Sequence, residues 1–416
     1  MGKQQHKTPL VRFPEFKDDW EVKKLIDLVD RVTTKNKENN SNICTISAKF
    51  GLISQLEYFN KSVSAKNVTG YYLLNKNDFA YNKSYSKGYP MGAIKRMNRY
   101  EKGVVSTLYI CFRNKEVLDD SFAEHYYESG NQNKNIQKIA QEGARNHGLL
   151  NIGLNDFFSI PITFPQLAEQ QKIAHFFSIL DKKLTQLQKK KTALELYKKG
   201  MMQQIFSQQL RFKDENGNDF SDWEVKKLGN YIEVISGFAF KGDDISEDKN
   251  GIPLLRGINI TEGHIRHSKQ IDRFYNGKYE TLEKYFLQEN DLVIGMDGSK
   301  VGKNVSLITK KDVNSLLIQR VARLRSNGKS NINFVFQIIF SIWFIRYVDI
   351  VNTSSGIPHI SLKQINDFSF NFPSLKEQTE IANFLSKIDE KINAVNQQIE
   401  NTKTYKKGLL QKMFVN

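Results

Sequence analysis

The chain has 416 residues, 39% of them hydrophobic, and its Lys and Arg (61) exceed its Asp and Glu (45) for a formal net charge of +16. That length supports two or three domains with cores of their own, and the positive excess selects a polyanionic partner, nucleic acid ahead of an anionic membrane surface. Two cysteines, Cys44 and Cys111, argue against a disulfide framework and fit a reducing compartment.

The opening MGKQQHKTPL has no apolar signal core, so the chain is expected in the cytoplasm. Residues 1–25 end in DDWEVKKL, and the same phrase returns as SDWEVKKL at 221–228. The first globular segment, 26–163, mixes strand-like runs such as 103–112 (GVVSTLYICF) with a helical stretch at 131–141.

Within it, 81–102 (YNKSYSKGYPMGAIKRMNRYEK) interleaves cations and aromatics with one acid, Glu101. Cations neutralise phosphates, aromatics stack or fill grooves, and Asn or Arg pairs with base edges. Gly88, Pro90 and Gly92 mark a loop, where recognition residues often sit. The candidate DNA contacts here are Asn82, Lys83, Tyr85, Lys87, Lys95, Arg96 and Arg99.

A long helix is expected next. Residues 164–206 read FPQLAEQQKIAHFFSILDKKLTQLQKKKTALELYKKGMMQQIF, and 372–414 read FPSLKEQTEIANFLSKIDEKINAVNQQIENTKTYKKGLLQKMF. They align without a gap at an offset of 208, with 17 of 43 positions identical. Apolar residues recur every seven: Ile173, Leu180, Leu187, Leu194 and Met201 beside Phe177, Leu184 and Ile205. The second copy repeats this with Ile381, Ile388, Val395 and Leu409 beside Leu385, Ile392, Ile399 and Met413. Such rows put a narrow seam on a helix about 60 Å long. One helix cannot bury its seam alone, so the two copies are expected to pair antiparallel. Lys191, Lys198, Thr402 and Lys406 interrupt the seam and are candidates for fixing register or meeting another subunit. Pro165 and Pro373 lie just outside each start, and Ser374 with Glu377 forms a capping-box pattern.

Residues 208–222, with ENGND turn chemistry, link to a second globular segment. Strands are expected at 252–260, 291–294 and 316–324; 334–347 reads equally as helix or strand. Alternation through 316–324 puts Arg320 on a face with Ile318 and Ala322, as a buried ion-pair candidate. The run 334–348 is too short, and too interrupted by Gln337, Ser341 and Arg346, to span a membrane. Candidate DNA contacts in this segment are Lys241, Arg256, Asn259, Lys300 and Lys303.

No catalytic or metal-binding set emerges. GMDGSKVGKN (295–304) fails the phosphate-loop pattern at Asp297 and Asn304, leaving a Gly-rich turn or hairpin. His264 and His267 lack companion ligands, and Asp19, Glu21 and Lys23 crowd one local run. The two globular segments match only in patches: NDF at 155–157 returns at 366–368, and GARNHGLLNIGLNDF has a loose echo in GIPHISLKQINDF. The fold class is therefore α+β: two globular segments, 1–163 and 208–371, and two long antiparallel coiled-coil helices, 164–207 and 372–416, in a pseudo-two-fold repeat.

RFPEFKDDWEVKKL, SGFAFK, GIPLLRGINI, DLVIGMDGSKVGK, LLIQRVARLR, SSGIPHISLKQINDFSFNFPSLKEQTEIANFLSKID and YKKGLLQKMF, in this order and with the duplicated helix, resemble the DNA specificity subunit of a type I restriction-modification system. The resemblance spans essentially the whole chain and is weakest in 27–151. It implies two target-recognition domains held apart by two helices, each domain reading one half of a split site on double-stranded DNA. It also implies a subunit without catalysis or cofactor of its own. The resemblance further implies that two modification subunits carrying S-adenosylmethionine dock along the helices and methylate adenine, and that restriction subunits add ATP- and Mg-dependent translocation and cleavage. The unlike globular segments predict an asymmetric site, with half-sites about one turn of B-DNA apart. Two rivals remain: a coiled-coil scaffold or adaptor without sequence-specific DNA binding, and a self-contained restriction enzyme, which requires methylase and nuclease motifs in this chain.

Overall fold

The computed structural model describes residues 8–47, 50–61, 67–86, 88–140, 148–352 and 358–415. They fall into two compact units, Met1–Lys189 with Gln397–Asn416, and Lys190–Asn396. The boundary between the compact units crosses both long helices. Among the described residues no single helix is long and apolar enough to cross a membrane.

The long helices run Leu167–Phe206 and Leu375–Lys412, as the heptads predict. Inside the first unit the opening of the first helix and the close of the second pack together. Phe177 stacks on Phe414 with centroids 6.0 Å apart, and Lys406 pairs with Asp181 at 2.5 Å. Within the second unit Lys198 pairs with Asp389 at 2.7 Å. Each pair is the other with the two helix copies exchanged, so two of the cations that interrupt the seam meet carboxylates on the opposing helix. An offset of one turn breaks such a contact, which is how a polar seam residue specifies alignment.

The helix starts are fastened by the same buried groups in both units. Gln170 accepts the backbone N–H of Asp119 at 2.8 Å and donates to Pro165 O at 2.9 Å. Gln378 accepts the backbone N–H of Asn331 at 3.0 Å and donates to Pro373 O at 3.0 Å. Asp119 and Asn331 are themselves the N-caps of Asp120–Ser129 and Ile332–Ile339, so each glutamine ties a long helix to a shorter one. Beside them Glu169 takes the fork of Arg12 at 2.8 and 2.7 Å, and Glu377 that of Arg211 at 3.2 and 2.9 Å. Each arginine is held above its ordinary value by this hydrogen bond. The capping box expected at Ser374 is half made: Ser374 accepts the Glu377 N–H at 3.4 Å. The Glu377 carboxylate turns inward to Arg211 and the Trp223 indole instead, since a buried charge requires a partner.

The globular segments share more than their sequences predict. A four-stranded antiparallel sheet in the first unit has the order Val29–Arg31, Ile110–Asn114, Phe79–Asn82, Ala93–Arg96. The second unit has Ile232–Ser236, Val321–Ser326, Leu292–Gly295, Val305–Leu307 in the same order and sense. A two-stranded ribbon accompanies each, Glu21–Lys24 on Pro161–Phe164 and Glu224–Lys227 on Ser369–Phe372. The common sheet is held by a common device. Asn77 and Asn290 adopt φ of 75° and 70°, and the buried Asp78 and Asp291 that follow accept the forks of Arg113 (2.6 and 3.0 Å) and Arg325 (2.6 and 2.7 Å). The expectation of unlike globular segments thus holds for the loops and not for the sheet.

Several strand expectations need correction. Residues 103–112 contain the ends of two strands in different sheets, Lys102–Val105 and Ile110–Asn114. The run 252–260 keeps only Ile252–Leu255 as strand before a short 3-10 turn. The run 316–324 breaks into Leu316–Leu317 and Val321–Ser326, because Arg320 takes φ 65°. That break puts the alternation out of phase: the Arg320 side chain is 74% exposed and Arg323, at 3%, holds the buried place. The ambiguous 334–347 lies within two helices, Ile332–Ile339 and Ile342–Val351, the second capped by Ser341. The helical run 131–141 contains Asn133–Ile139, and Gln141 lies outside the described residues.

Candidate nucleic-acid interface

In both units the connection after the strand beside the sheet edge is fastened to a distant segment by the same backbone ladder. In the first unit Ser84 bridges Leu149, Tyr85 N–H donates to Gly148 O at 2.8 Å, and Leu150 N–H donates to Lys83 O at 3.0 Å. The second unit repeats it with Asp297 bridging His359, Gly298 N–H on Pro358 O at 2.9 Å and Ile360 N–H on Met296 O at 2.9 Å. A loop held by backbone bonds at its root presents its side chains with little freedom left to lose on binding.

On the first junction Asn82, Lys83 and Tyr85 come together. Asn82 Oδ1 accepts the Ser84 N–H at 3.0 Å, Lys83 is half-buried, and the Tyr85 ring is exposed. The return to the sheet needs glycine: a Cβ on Gly92 (φ 75°) falls 2.3 Å from Asn82 O. Lys87 lies outside the described residues. Two of the candidate contacts have internal partners. Lys95 is pinned to Glu128 at 2.5 Å and Tyr89 at 2.9 Å, and Arg96 to Asn77 (2.7 Å), Ser121 (2.9 Å) and Glu124 (3.3 Å). Both fix a sheet strand to the helix Asp120–Ser129, whose carboxylates neutralise them. Arg99 is exposed and only loosely paired with Glu57, 3.9 Å away.

The second junction faces a concavity of about 480 Å³ lined by Arg256, Asp297, Asn304, Ile318, Gln319 and Arg320. Arg320 Nη1 lies 3.2 Å from Asp297 Oδ2, and His359 Nδ1 hydrogen-bonds Asp297 Oδ1. Arg256 is partly engaged, donating to Ile271 O at 3.2 Å. Lys300 and Lys303 are exposed on the hairpin connection, Lys300 paired with Glu262 at 3.0 Å. Lys241 is exposed ahead of the turn Gly242–Asp244 and does not line the concavity. Asn259 is buried, accepting the Arg256 N–H at 3.2 Å and donating to Arg266 O and Asp272. Its amide completes a turn and faces no solvent. Gln319 and His359, which sequence reading missed, and Arg320, which it placed in the core, gather only where separate strands meet.

One sheet built twice, carrying a different set of cations, amides and aromatics at the same loop junction, is the design of a nucleic-acid reader with two unlike specificities. The family model described as the Type I restriction modification DNA specificity domain matches residues 17–196 and again 220–402, and the chain belongs to that family. It is 26% identical over 321 residues to the type I restriction enzyme MjaVIII specificity subunit of Methanocaldococcus jannaschii, covering 74% of this chain and 73% of that one. Against the EcoAI specificity subunit of Escherichia coli it is 34% identical over 177 residues, 42% of this chain and 29% of the other. Its fold is that of the type I restriction-modification S subunit from M. genitalium, with a TM-score of 0.59 at 16% identity over 98% of this chain and 99% of that one.

Proposed function

We propose that this chain is the DNA-recognition subunit of a type I restriction-modification complex in the cytoplasm, each unit reading one half of an asymmetric, two-part site on duplex DNA. The observation that carries this reading is the pairing of a repeated frame with unrepeated junction chemistry, on a chain whose two halves each match the specificity-domain model. The net charge of +16 supplies the sequence-independent attraction to phosphates. Base edges are then read by the side chains at the two junctions.

In this reading the chain carries no catalysis and no cofactor. Two modification subunits, holding S-adenosylmethionine, dock along the long helices and methylate adenine; restriction subunits, where present, bring ATP and Mg. The long helices set the distance between half-sites. Four residues inserted mid-helix in both lengthen the spacer by roughly 6 Å, about two base pairs, and a methylation map with an unchanged spacer removes the helices as the ruler.

The complex reconstituted with its modification subunits is expected to bind duplex DNA with an affinity that falls steeply and linearly in log–log salt plots. A scaffold without DNA recognition shows no such slope. The chain by itself is expected to transfer no methyl group; transfer by the isolated chain contradicts the non-catalytic assignment.

A further inference from the structure

We infer that Arg320, braced by Asp297, reads a guanine in the half-site of the second unit. The inference rests on the DNA-recognition reading above and adds to it a named residue, a base and a half-site.

The backbone argues first. Arg320 holds φ 65°, a conformation that side chains other than glycine seldom adopt. The surroundings leave it no alternative. Met296 N–H donates to Arg320 O at 2.9 Å, Gln319 N–H to Phe238 O at 2.8 Å, Phe238 N–H to Leu317 O at 2.9 Å and Gly237 N–H to Val321 O at 3.0 Å. The strands are pressed so closely that a Cβ on Gly237 falls 2.1 Å from Ile318 O. A strained residue fixed on both sides, with its side chain 74% exposed, has its charged end presented to solvent rather than used in the core.

Electrostatics then decides between two kinds of DNA contact. A guanidinium reserved for a phosphate does best without an acid beside it, because the acid repels the phosphate. Arg320 has Asp297 at 3.2 Å, and His359 holds the other oxygen of that carboxylate. One edge of the guanidinium is thereby oriented while its remaining donors stay available. A base edge, with no net charge, is repelled by the brace far less than a phosphate, and guanine O6 and N7 in the major groove match the two-pronged arginine. Gln319 and Asn304 line the same concavity. Among the described residues neither amide has a hydrogen-bond partner, which leaves both able to meet neighbouring base edges.

The first unit lacks this arrangement. At the positions its backbone ladder equates with Asp297 and His359 stand Ser84 and Leu149, so a change at Arg320 acts on one half-site only.

The test maps adenine methylation for the wild-type complex and for Arg320→Ala and Arg320→Lys, alongside competition binding with single-base-substituted duplexes. In both variants one G·C position in one half-site is expected to become degenerate, with discrimination there falling roughly tenfold to a hundredfold. The other half-site and the salt slope stay unchanged, and lysine, lacking the fork, does not restore the position. An unchanged motif overturns the inference. So does uniform weakening on every sequence with the salt slope reduced by about one, which marks a phosphate contact. A wild-type complex yielding no two-part motif sinks the function reading itself, an outcome distinct from either.

Discussion

The two units share their fastenings and differ in what those fastenings present. Asp78 and Asp291, Gln170 and Gln378, Glu169 and Glu377 make matching buried bonds at matching places. At the loop junction the match stops: Ser84 faces Leu149 in one unit and Asp297 faces His359 in the other. Buried polar groups tolerate little change, since an orphaned partner is costly. Exposed side chains on a backbone-held loop change at almost no cost in stability. A duplicated chain therefore keeps its frame and acquires two readers.

The largest expected effect tests how the long helices complete each unit. Phe206 packs on Phe334, Trp343 and Phe370 in the second unit, and Phe414 on Phe122, Tyr126 and Phe177 in the first. Each aromatic closes its helix inside the unit built mainly from the other repeat. Phe206→Ala and Phe414→Ala are each expected to cost about 3–5 kcal/mol. Hydrogen exchange should show the second unit loosened by Phe206→Ala and the first by Phe414→Ala. Loosening in the reverse units breaks the comparison.

A smaller effect, confined to the first unit, is pH-dependent. Burial pushes His125 down to about 4, and its ring packs 5.0 Å from that of Phe177. A depressed folded value means the contribution is complete above the unfolded value near 6.5 and is lost as pH falls toward 4. The first unit is expected to lose up to ~3 kcal/mol across that window, measured by denaturant midpoints against pH. His125→Gln should flatten the slope, and a slope that persists in the variant assigns it to another group.

The smallest effect sharpens an inequality inside the frame. The Trp223 indole donates to Glu377 at 2.9 Å, whereas the buried Trp20 indole N–H has no partner among the described residues. Trp→Phe removes similar volume at both sites. The excess cost at Trp223 over Trp20 therefore isolates one bond to a charged acceptor, about 1.5–3 kcal/mol. Equal costs in thermal denaturation contradict the inequality.

The long helices were legible because their pattern is local. Rows every seven residues, no interior proline and a 43-residue duplication need no tertiary knowledge, and even the seam cations Lys198 and Lys406 stood out. The shared sheet was not legible. Its strands are only three to six residues long, and its neighbours are joined across long separations, such as Val29 with Asn114. The Asn-Asp pairs at 77–78 and 290–291 carried the signal, but two letters in 416 residues are too few to read alone. The site was half legible. Asn82, Lys83, Tyr85 and Arg256 fall at the junctions, while Lys95, Arg96 and Asn259 are taken up by internal partners that composition cannot reveal. Arg320 was misjudged because strand alternation presumes an unbroken strand, and a single left-handed residue reverses it.

Adenine-methylation mapping in cells with and without this chain tests most directly whether one frame holds two different readers. The expected result is a methylated motif present only with the chain, in two unlike half-sites separated by unspecified bases about one helical turn apart centre to centre. A continuous motif, or a palindrome whose halves are identical, contradicts it.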